Sequence, residues 1–166
     1  MSAIVYSSTG TIHLIAAIIS LITGTAVLAI KKGTKIHIKM GYIYIASMFI
    51  VNITAFMIYR LFGSFGIFHY AALLSLATVI AGSVPAIWRI PQHNWITLHF
   101  SFMYWSVLGL YAAFAAEVLT RIPETPFLAM VGYATGGIMF MGGAYFYWKK
   151  EEWANQFEHR SPKESF

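Results

Sequence analysis

The chain has 166 residues, of which 58% are hydrophobic and only 10% are charged. An ordinary soluble domain carries about 25% charged residues, so the composition excludes that class and predicts an integral membrane protein with a single domain. The formal net charge of +5 does not indicate nucleic-acid binding, because the cations lie in short connections and in the tail, where they set topology and contact lipid headgroups. The absence of cysteine excludes disulfides, thiolate metal sites and iron–sulfur clusters.

Five apolar segments follow one another along the chain. Each is long enough to cross about 30 Å of hydrocarbon as an α-helix, and none shows the alternation of a barrel strand. The predicted spans are residues 11–30, 38–61, 65–88, 95–119 and 126–148. We therefore predict an all-α integral membrane protein with a transmembrane helical domain over residues 1–148 and a polar cytoplasmic tail over residues 149–166.

Positive charge predicts the orientation of these spans. The first connection and the residues after it carry Lys31, Lys32, Lys35 and Lys39. The third connection adds Arg89 and the tail begins with two lysines, whereas the opposite side has little beyond Arg60 and Arg121. Because lysine and arginine accumulate in cytoplasmic loops, we expect the N-terminus outside and the C-terminus in the cytoplasm.

Four histidines lie near the starts of the first four segments, one in each segment. They are His13, His37, His69 and His99. Because successive spans alternate in direction, the first and third histidines are expected near one membrane face, and the second and fourth near the other. Ionisable residues inside membrane segments are costly and mark function by default. Two pairs at two depths predict axial ligands for two b-type haems, although a single interfacial histidine is also commonly just hydrogen-bonded or water-facing.

Cations at the two membrane surfaces are candidates for binding the haem propionates. Lys35 and Arg89 lie on the lysine-rich side, and Arg60 lies on the opposite side.

The first two segments resemble the next two, which predicts how the helices are arranged. Gly10 precedes His13 by three residues, and Gly66 precedes His69 by the same interval. Both histidines are followed by an Ala-Ala pair and then by Ser-Leu, one residue earlier in the second copy. A parallel repeat of a two-helix unit implies a pseudo-two-fold axis along the membrane normal. We therefore predict a four-helix bundle core, with helices 1-2 and 3-4 related by this axis, and a fifth helix beside it.

Glu117 supports an alternative to haem. It follows His99 by about five helical turns, so both lie on one helix face, and Glu117 is expected at the depth of His13 and His69. A buried carboxylate needs a partner, and an ion pair with an arginine would serve. Alternatively, His13, His69 and Glu117 would form a site for zinc, iron or copper. A weaker second metal site would use His37, His93 and His99.

The fifth segment has no histidine but several small residues. It contains Gly132, Gly136, Gly137, Gly142 and Gly143. Small residues at such spacings allow close contact between helices. This segment is therefore expected to pack against the bundle or to form a homo-oligomer with a second copy.

Two groups of residues resemble a known family. They are Lys35, His37, Lys39, Gly41 and Tyr42 in the first group, and His99, Met103, Ser106, Gly109, Leu110, Ala112, Ala113 and Glu117 in the second. Together they resemble a widespread family of small predicted bacterial membrane proteins with no assigned function, over most of the chain from His13 to about Arg121. The family commonly has arginine after the second histidine, where this chain has Ile38. The resemblance implies a multi-pass protein of the bacterial cytoplasmic membrane.

The helix-and-histidine layout is also similar to that of the transmembrane di-haem b-type cytochromes, such as the ascorbate-dependent ferric reductases. This architectural resemblance implies that the four histidines are axial haem ligands. We therefore expect a haem protein that carries electrons from a quinol or a soluble donor to an acceptor, which leaves open whether it is itself a transmembrane oxidoreductase. The alternatives are a His/Glu metal-binding membrane protein and a small structural subunit without a cofactor.

Overall fold

The computed structural model describes residues 7–59, 63–120 and 126–158, with side chains as far as residue 153. These residues form five α-helices and no strand, which confirms the predicted all-α class. The helices are α1 (Ser8–Ala29), α2 (Lys35–Phe56), α3 (Ile67–Trp88), α4 (Trp95–Leu119) and α5 (Phe127–Glu158). Each is long and apolar enough to cross a membrane. The connection between α1 and α2, the connection between α3 and α4, and Lys149 lie at one end of the bundle, which we call the lysine-rich side.

The start of α2 differs from its prediction and changes the setting of His37. Thr34 caps this helix, and its side chain accepts a hydrogen bond from the His37 N–H over 3.2 Å. A threonine in this position satisfies a backbone donor that the helix itself leaves unpaired. The helix therefore begins at Lys35, and His37 lies in its first turn. At the other end α2 stops at Phe56, earlier than the predicted residue 61.

The last helix is longer than the predicted span. It continues through the charged residues after Trp148 to Glu158, because lysine and glutamate are good helix formers. Lys149 Nζ lies 2.6 Å from Glu152 Oε2, one turn further along. The apolar part of α5, suited to the membrane, ends near Trp148, and the charged residues that follow extend the same helix beyond it.

The first four helices form the predicted four-helix core. Helix α1 packs against α2, α2 against α3, α3 against α4, and α4 against α1, while α5 packs on the outside of α4. Within the described residues, the diagonal pairs α1–α3 and α2–α4 have no Cα atoms within 8 Å of each other, so their side chains meet across the middle of the bundle. The central cluster consists of Tyr44, Met48, Val79, Met103, Val107 and Leu110.

Side chains 62 positions apart face each other across the diagonal between α2 and α4. Tyr44 Oη lies 2.8 Å from Ser106 Oγ. Met48 and Leu110 belong to the same buried cluster, and His37 and His99 have the same separation in sequence. Such pairing of equivalent positions is the arrangement expected around an axis that relates the two helix pairs.

Three buried positions of α1 have buried counterparts in α3 at an interval of 56 residues. Ala16 and Ala72 are both buried, and the same holds for the next pairs, Thr23 with Val79 and Val27 with Ser83. At this interval His13 corresponds to His69. The alignment of Ser20 with Ser75, which assumes that the second copy is one residue shorter, does not follow this interval. Ser20 is buried and bonds Ser47 over 2.8 Å, whereas Ser75 is half-buried.

Tyr44→Phe is expected to destabilise the bundle by about 1 kcal/mol, because it removes a buried hydrogen bond and leaves the Ser106 hydroxyl unpaired. Both residues are less than 5% exposed. The free energy of unfolding in mixed detergent micelles measures the change. In the double variant with Ser106→Ala the two losses should not add, since the substitutions remove the same bond. Additive losses would show that the hydrogen bond contributes nothing.

Candidate functional site

The lysine-rich side brings His37 and His99 together. His37 extends from the first turn of α2, and His99 from the second turn of α4, the helix diagonally opposite. Their ring centroids are 6.4 Å apart and their planes are inclined by 89°. Both residues are half-buried. The structure thus places at one level the two histidines that the alternation of spans predicts there.

The separation of these two rings is suited to a shared metal centre. Two imidazoles on opposite sides of one metal ion, each with its nitrogen about 2 Å from the metal, have ring centres about 6 Å apart. The observed 6.4 Å is close to that value. Perpendicular ring planes are compatible with this arrangement, because each imidazole turns freely about its bond to the metal.

Hydrogen bonding orients the His99 ring. Its Nδ1 lies 2.8 Å from the carbonyl oxygen of Gly82 in α3. Because a carbonyl can only accept, Nδ1 carries the proton, and Nε2 of the neutral ring keeps its lone pair. This is the tautomer that metal-ligating histidines commonly adopt, with a backbone acceptor that fixes the ring. His37 Nδ1 is buried and has no hydrogen-bond partner in the described part of the chain.

Gly82 allows this contact because α3 and α4 approach closely there. A Cβ atom at Gly82 would lie 2.8 Å from Met103 Sδ and 3.1 Å from the Met103 backbone nitrogen. A larger residue here would require the Met103 side chain to move and the two helices to separate slightly. Sequence reasoning did not single out Gly82, because a lone glycine in an apolar helix gives no sign of the carbonyl it presents to another helix.

Lys32 is a second such residue, since the sequence indicated only its contribution to orientation and not its contacts at this site. Its ammonium group donates to the carbonyl oxygens of Val27 (2.7 Å) and Leu28 (2.6 Å), and thereby caps the end of α1. It also lies close enough to His37 to interact electrostatically with it. Burial at the helix end lowers the pKa of Lys32, because it desolvates the ammonium. The predicted propionate partners Lys35 and Arg89 are both exposed.

Lys32→Gln is expected to reduce the free energy of unfolding by about 1 kcal/mol, because the helix-end carbonyls lose a charged donor. Lys31→Gln is the matched control, since Lys31 is exposed and its replacement should change stability by less than about 0.5 kcal/mol. Thermal unfolding of the two variants in the same detergent provides the measurement. Equal midpoints for both variants would show that the cap is not stabilising.

The opposite level of the bundle is arranged differently around His13. Its Nδ1 lies 2.8 Å from Thr54 Oγ1 of the adjacent helix α2. Glu117 lies close enough to His13 to interact electrostatically with it and is itself half-buried. The expected proximity of Glu117 to His13 is therefore present.

His69 is engaged as a capping residue at the start of α3. Its Nδ1 accepts a hydrogen bond from the backbone N–H of Gly66, the N-cap residue, over 3.0 Å. The rings of Tyr59 and Phe65 flank it, each at 4.7 Å between centroids. Because Nδ1 accepts, the proton of the neutral ring is on Nε2, which is buried without a partner in the described residues. No ring contact between His69 and His13 is found there.

The two predicted metal sites made of three residues are not assembled. Among residues 7–59, 63–120 and 126–158, no group of three or more His, Asp or Glu side chains is placed to hold a metal ion. Neither the predicted site of His13, His69 and Glu117 nor that of His37, His93 and His99 is therefore formed by these residues. His93 is exposed in the connection between α3 and α4. Arg60 and Arg121 lie outside the described residues.

Comparison with known families agrees with this architecture. The family model described as "Predicted membrane protein (DUF2306)" matches residues 10–146, which include the four histidines and Glu117. The chain belongs to this family. Its membership confirms the resemblance to small predicted membrane proteins. No match was found among curated proteins or among solved structures.

Proposed function

We propose that the protein is a membrane-embedded b-type haem protein that transfers electrons within the membrane, with His37 and His99 as axial ligands. The observation that carries the proposal is the meeting of these rings at 6.4 Å across the bundle. The Gly82 carbonyl supports it further, since it leaves the His99 Nε2 lone pair available for coordination.

The donor set favours haem over a bare metal ion. A porphyrin fills the equatorial positions of its iron, so that a pair of protein imidazoles completes the coordination. A zinc ion in a protein instead takes about three or four protein ligands. His37 and His99 supply the smaller number. Beside them, Gly41 has no atom within 4 Å of the position of a Cβ, which leaves space for a flat ligand next to His37.

The residues around the pair have separable roles in this function. Bound haem would supply a centre that accepts and releases single electrons. His37 and His99 hold it, and Gly82 keeps the His99 ring in the ligating tautomer. Tyr44 and Met103 lie on the membrane-centre side of the pair and exclude water. Lys32 places a positive charge near His37, which favours the reduced state of a neighbouring centre.

A second haem at His13 and His69 remains a prediction. The Nδ1 atom of His69 accepts from Gly66, so this ring would have to exchange its tautomer before Nε2 could bind iron. The geometry therefore supports the site on the lysine-rich side more strongly. The ratio of haem to protein distinguishes the two versions.

We further propose that the protein resides in the bacterial cytoplasmic membrane with its lysine-rich side in the cytoplasm, in accord with the distribution of basic residues. The proposed haem then lies close to the cytoplasmic surface. An electron acceptor or donor in that compartment is then within reach of it.

Optical spectroscopy tests the proposed function directly. The full-length protein, expressed with a haem supply and purified in mild detergent, is expected to show a strong Soret band and sharp α and β bands when reduced. Extraction of the haem and quantification against protein gives the stoichiometry. Protein that is folded by circular dichroism but binds no haem, either as isolated or after addition of hemin, would refute the proposal.

A further inference from the structure

A cleft between α4 and α5 opens on the lysine-rich side, outside the four-helix core. Its volume is about 380 Å³. Helix α4 contributes Thr97, Phe100 and Ser101, and α5 contributes Phe146, Lys150, Glu151 and Trp153. The α4 residues belong to the same turns as His99, so the cleft and the histidine pair lie at the same depth on neighbouring faces of one helix.

Aromatic rings form the inner wall of this cleft. Phe100 and Phe146 are nearly parallel, with centroids 6.0 Å apart and planes inclined by 15°. Trp153 meets Phe100 edge-on at 4.9 Å. Behind them the Tyr104 hydroxyl donates to the Gly142 carbonyl over 2.9 Å, so it is already occupied and closes the cleft towards the membrane centre. The wall therefore offers ring faces and edges to a planar ligand.

Polar groups lie at the edge of the same cleft. The Thr97 and Ser101 hydroxyls, one turn apart on α4, make no hydrogen bond in the described part of the chain. On the α5 side Lys150 and Glu151 line the cleft, and the Lys150 ammonium lies 3.8 Å from the centre of the Tyr147 ring. Donors thus stand on two sides of an aromatic surface.

We propose that this cleft binds the ring of a membrane quinone or quinol. Such a ring is planar, has oxygen atoms on opposite edges and carries an apolar tail that must remain in lipid. The aromatic wall takes its face, the hydroxyls and the ammonium take its oxygens, and the groove between α4 and α5 opens to the bilayer for the tail. Few polar groups in a largely apolar cleft are typical of small-molecule sites.

A ring bound here lies about one helix diameter, roughly 10 Å, from His99. The role of the quinone as electron-exchange partner of the haem rests on the proposed function. Binding of the quinone ring in the cleft does not depend on it. The two ideas can therefore fail separately.

Photolabelling and titration test the cleft. Purified protein is irradiated with a short-chain azidoquinone, and labelled peptides are mapped by mass spectrometry; affinity is taken from titration with a short-chain ubiquinone. Labels are expected on α4 near Ser101 and on α5 near Trp153. Ser101→Phe, which fills the cleft, and Trp153→Leu, which removes part of its wall, should each weaken binding by about tenfold.

Matched variants place similar changes outside the cleft. Ala113→Phe adds the same ring to an exposed position of α4, and Trp148→Leu removes an exposed indole of α5; both should bind as the wild type does. If Ser101→Phe fails to fold, the comparison of Trp153→Leu with Trp148→Leu still tests the proposal. Wild-type affinity in the cleft variants, labels elsewhere, or displacement by anionic phospholipid without saturable quinone binding would overturn the proposal.

The Soret band is recorded on each sample. Saturable quinone binding without haem would defeat the proposed function alone, and haem without saturable quinone binding would defeat the quinone site alone.

Discussion

Replacing His99 with alanine is expected to abolish the bis-histidine haem spectrum and to lower the amount of bound haem by about tenfold or more, since even outer partners of a ligand commonly change affinity by that factor. His99 is anchored by Gly82 and faces His37 at 6.4 Å. Its loss would leave the proposed haem with one of its two histidine ligands. His37→Ala should have the same effect. The measurement is the reduced-minus-oxidised spectrum together with the ratio of haem to protein.

The histidine outside the bundle is the control for this experiment. His93 lies six residues before His99 and is exposed in the connection, so His93→Ala should leave haem content and spectrum unchanged. His69→Ala reports on the second haem: a protein with a haem at each level would lose about half of its haem, whereas a protein with the single site would keep it all. Full haem content in both His37→Ala and His99→Ala would eliminate the assigned ligands.

Gly82→Ala is expected to lower the free energy of unfolding by about 1–3 kcal/mol, because the added methyl overpacks the contact between α3 and α4. The Met103 side chain can rotate away from it, but the Met103 backbone nitrogen at 3.1 Å cannot move without shifting a helix. Such a shift also withdraws the Gly82 carbonyl from His99, so weaker haem binding should accompany the lower stability. Unfolding in mixed micelles and the haem content of the same preparation are the two readouts.

Gly109→Ala is the matched control on the partner helix. No atom lies within 4 Å of a Cβ at Gly109, so this variant should remain within about 0.5 kcal/mol of the wild type. Equal stability of the Gly82 and Gly109 variants would mean that α3 and α4 do not approach as described. Lower stability with unchanged haem binding would show that the Gly82 carbonyl does not position His99.

The histidines show how far sequence reasoning reaches in this fold. The depth of His37 and His99 follows from the alternation of spans, because each additional residue advances a helix by a constant rise. The partner of His99 does not follow, because Gly82 is on another helix and presents a main-chain carbonyl that any residue type would possess. His69 fits the predicted pattern equally well in sequence, yet its ring caps α3 and contacts Tyr59 and Phe65. Ring orientation depends on neighbours that a linear pattern does not specify.

The lysines illustrate the same limit at the membrane surface. The predicted orientation depends on the number of charges in a connection. It therefore does not distinguish between the four lysines Lys31, Lys32, Lys35 and Lys39. Their individual roles depend on where the chain turns after α1. Lys32 folds back onto the last carbonyls of α1, whereas Lys35 begins α2 and is exposed. A candidate partner for a haem propionate thus cannot be chosen from charge alone.

The sequence by itself determined the five helices, because the length and hydrophobicity of a span are local properties that the bilayer thickness selects. It also indicated the family and the arrangement of the helices as two similar pairs, since the residue motifs that carry both lie along the chain. Only the tertiary structure decided which hydrogen bonds His13, His69 and His99 make, that Gly82 supports His99, and that α4 and α5 enclose an aromatic cleft. These features arise where side chains from distant segments meet, and their geometry is set by packing between helices rather than by the periodicity of any one of them.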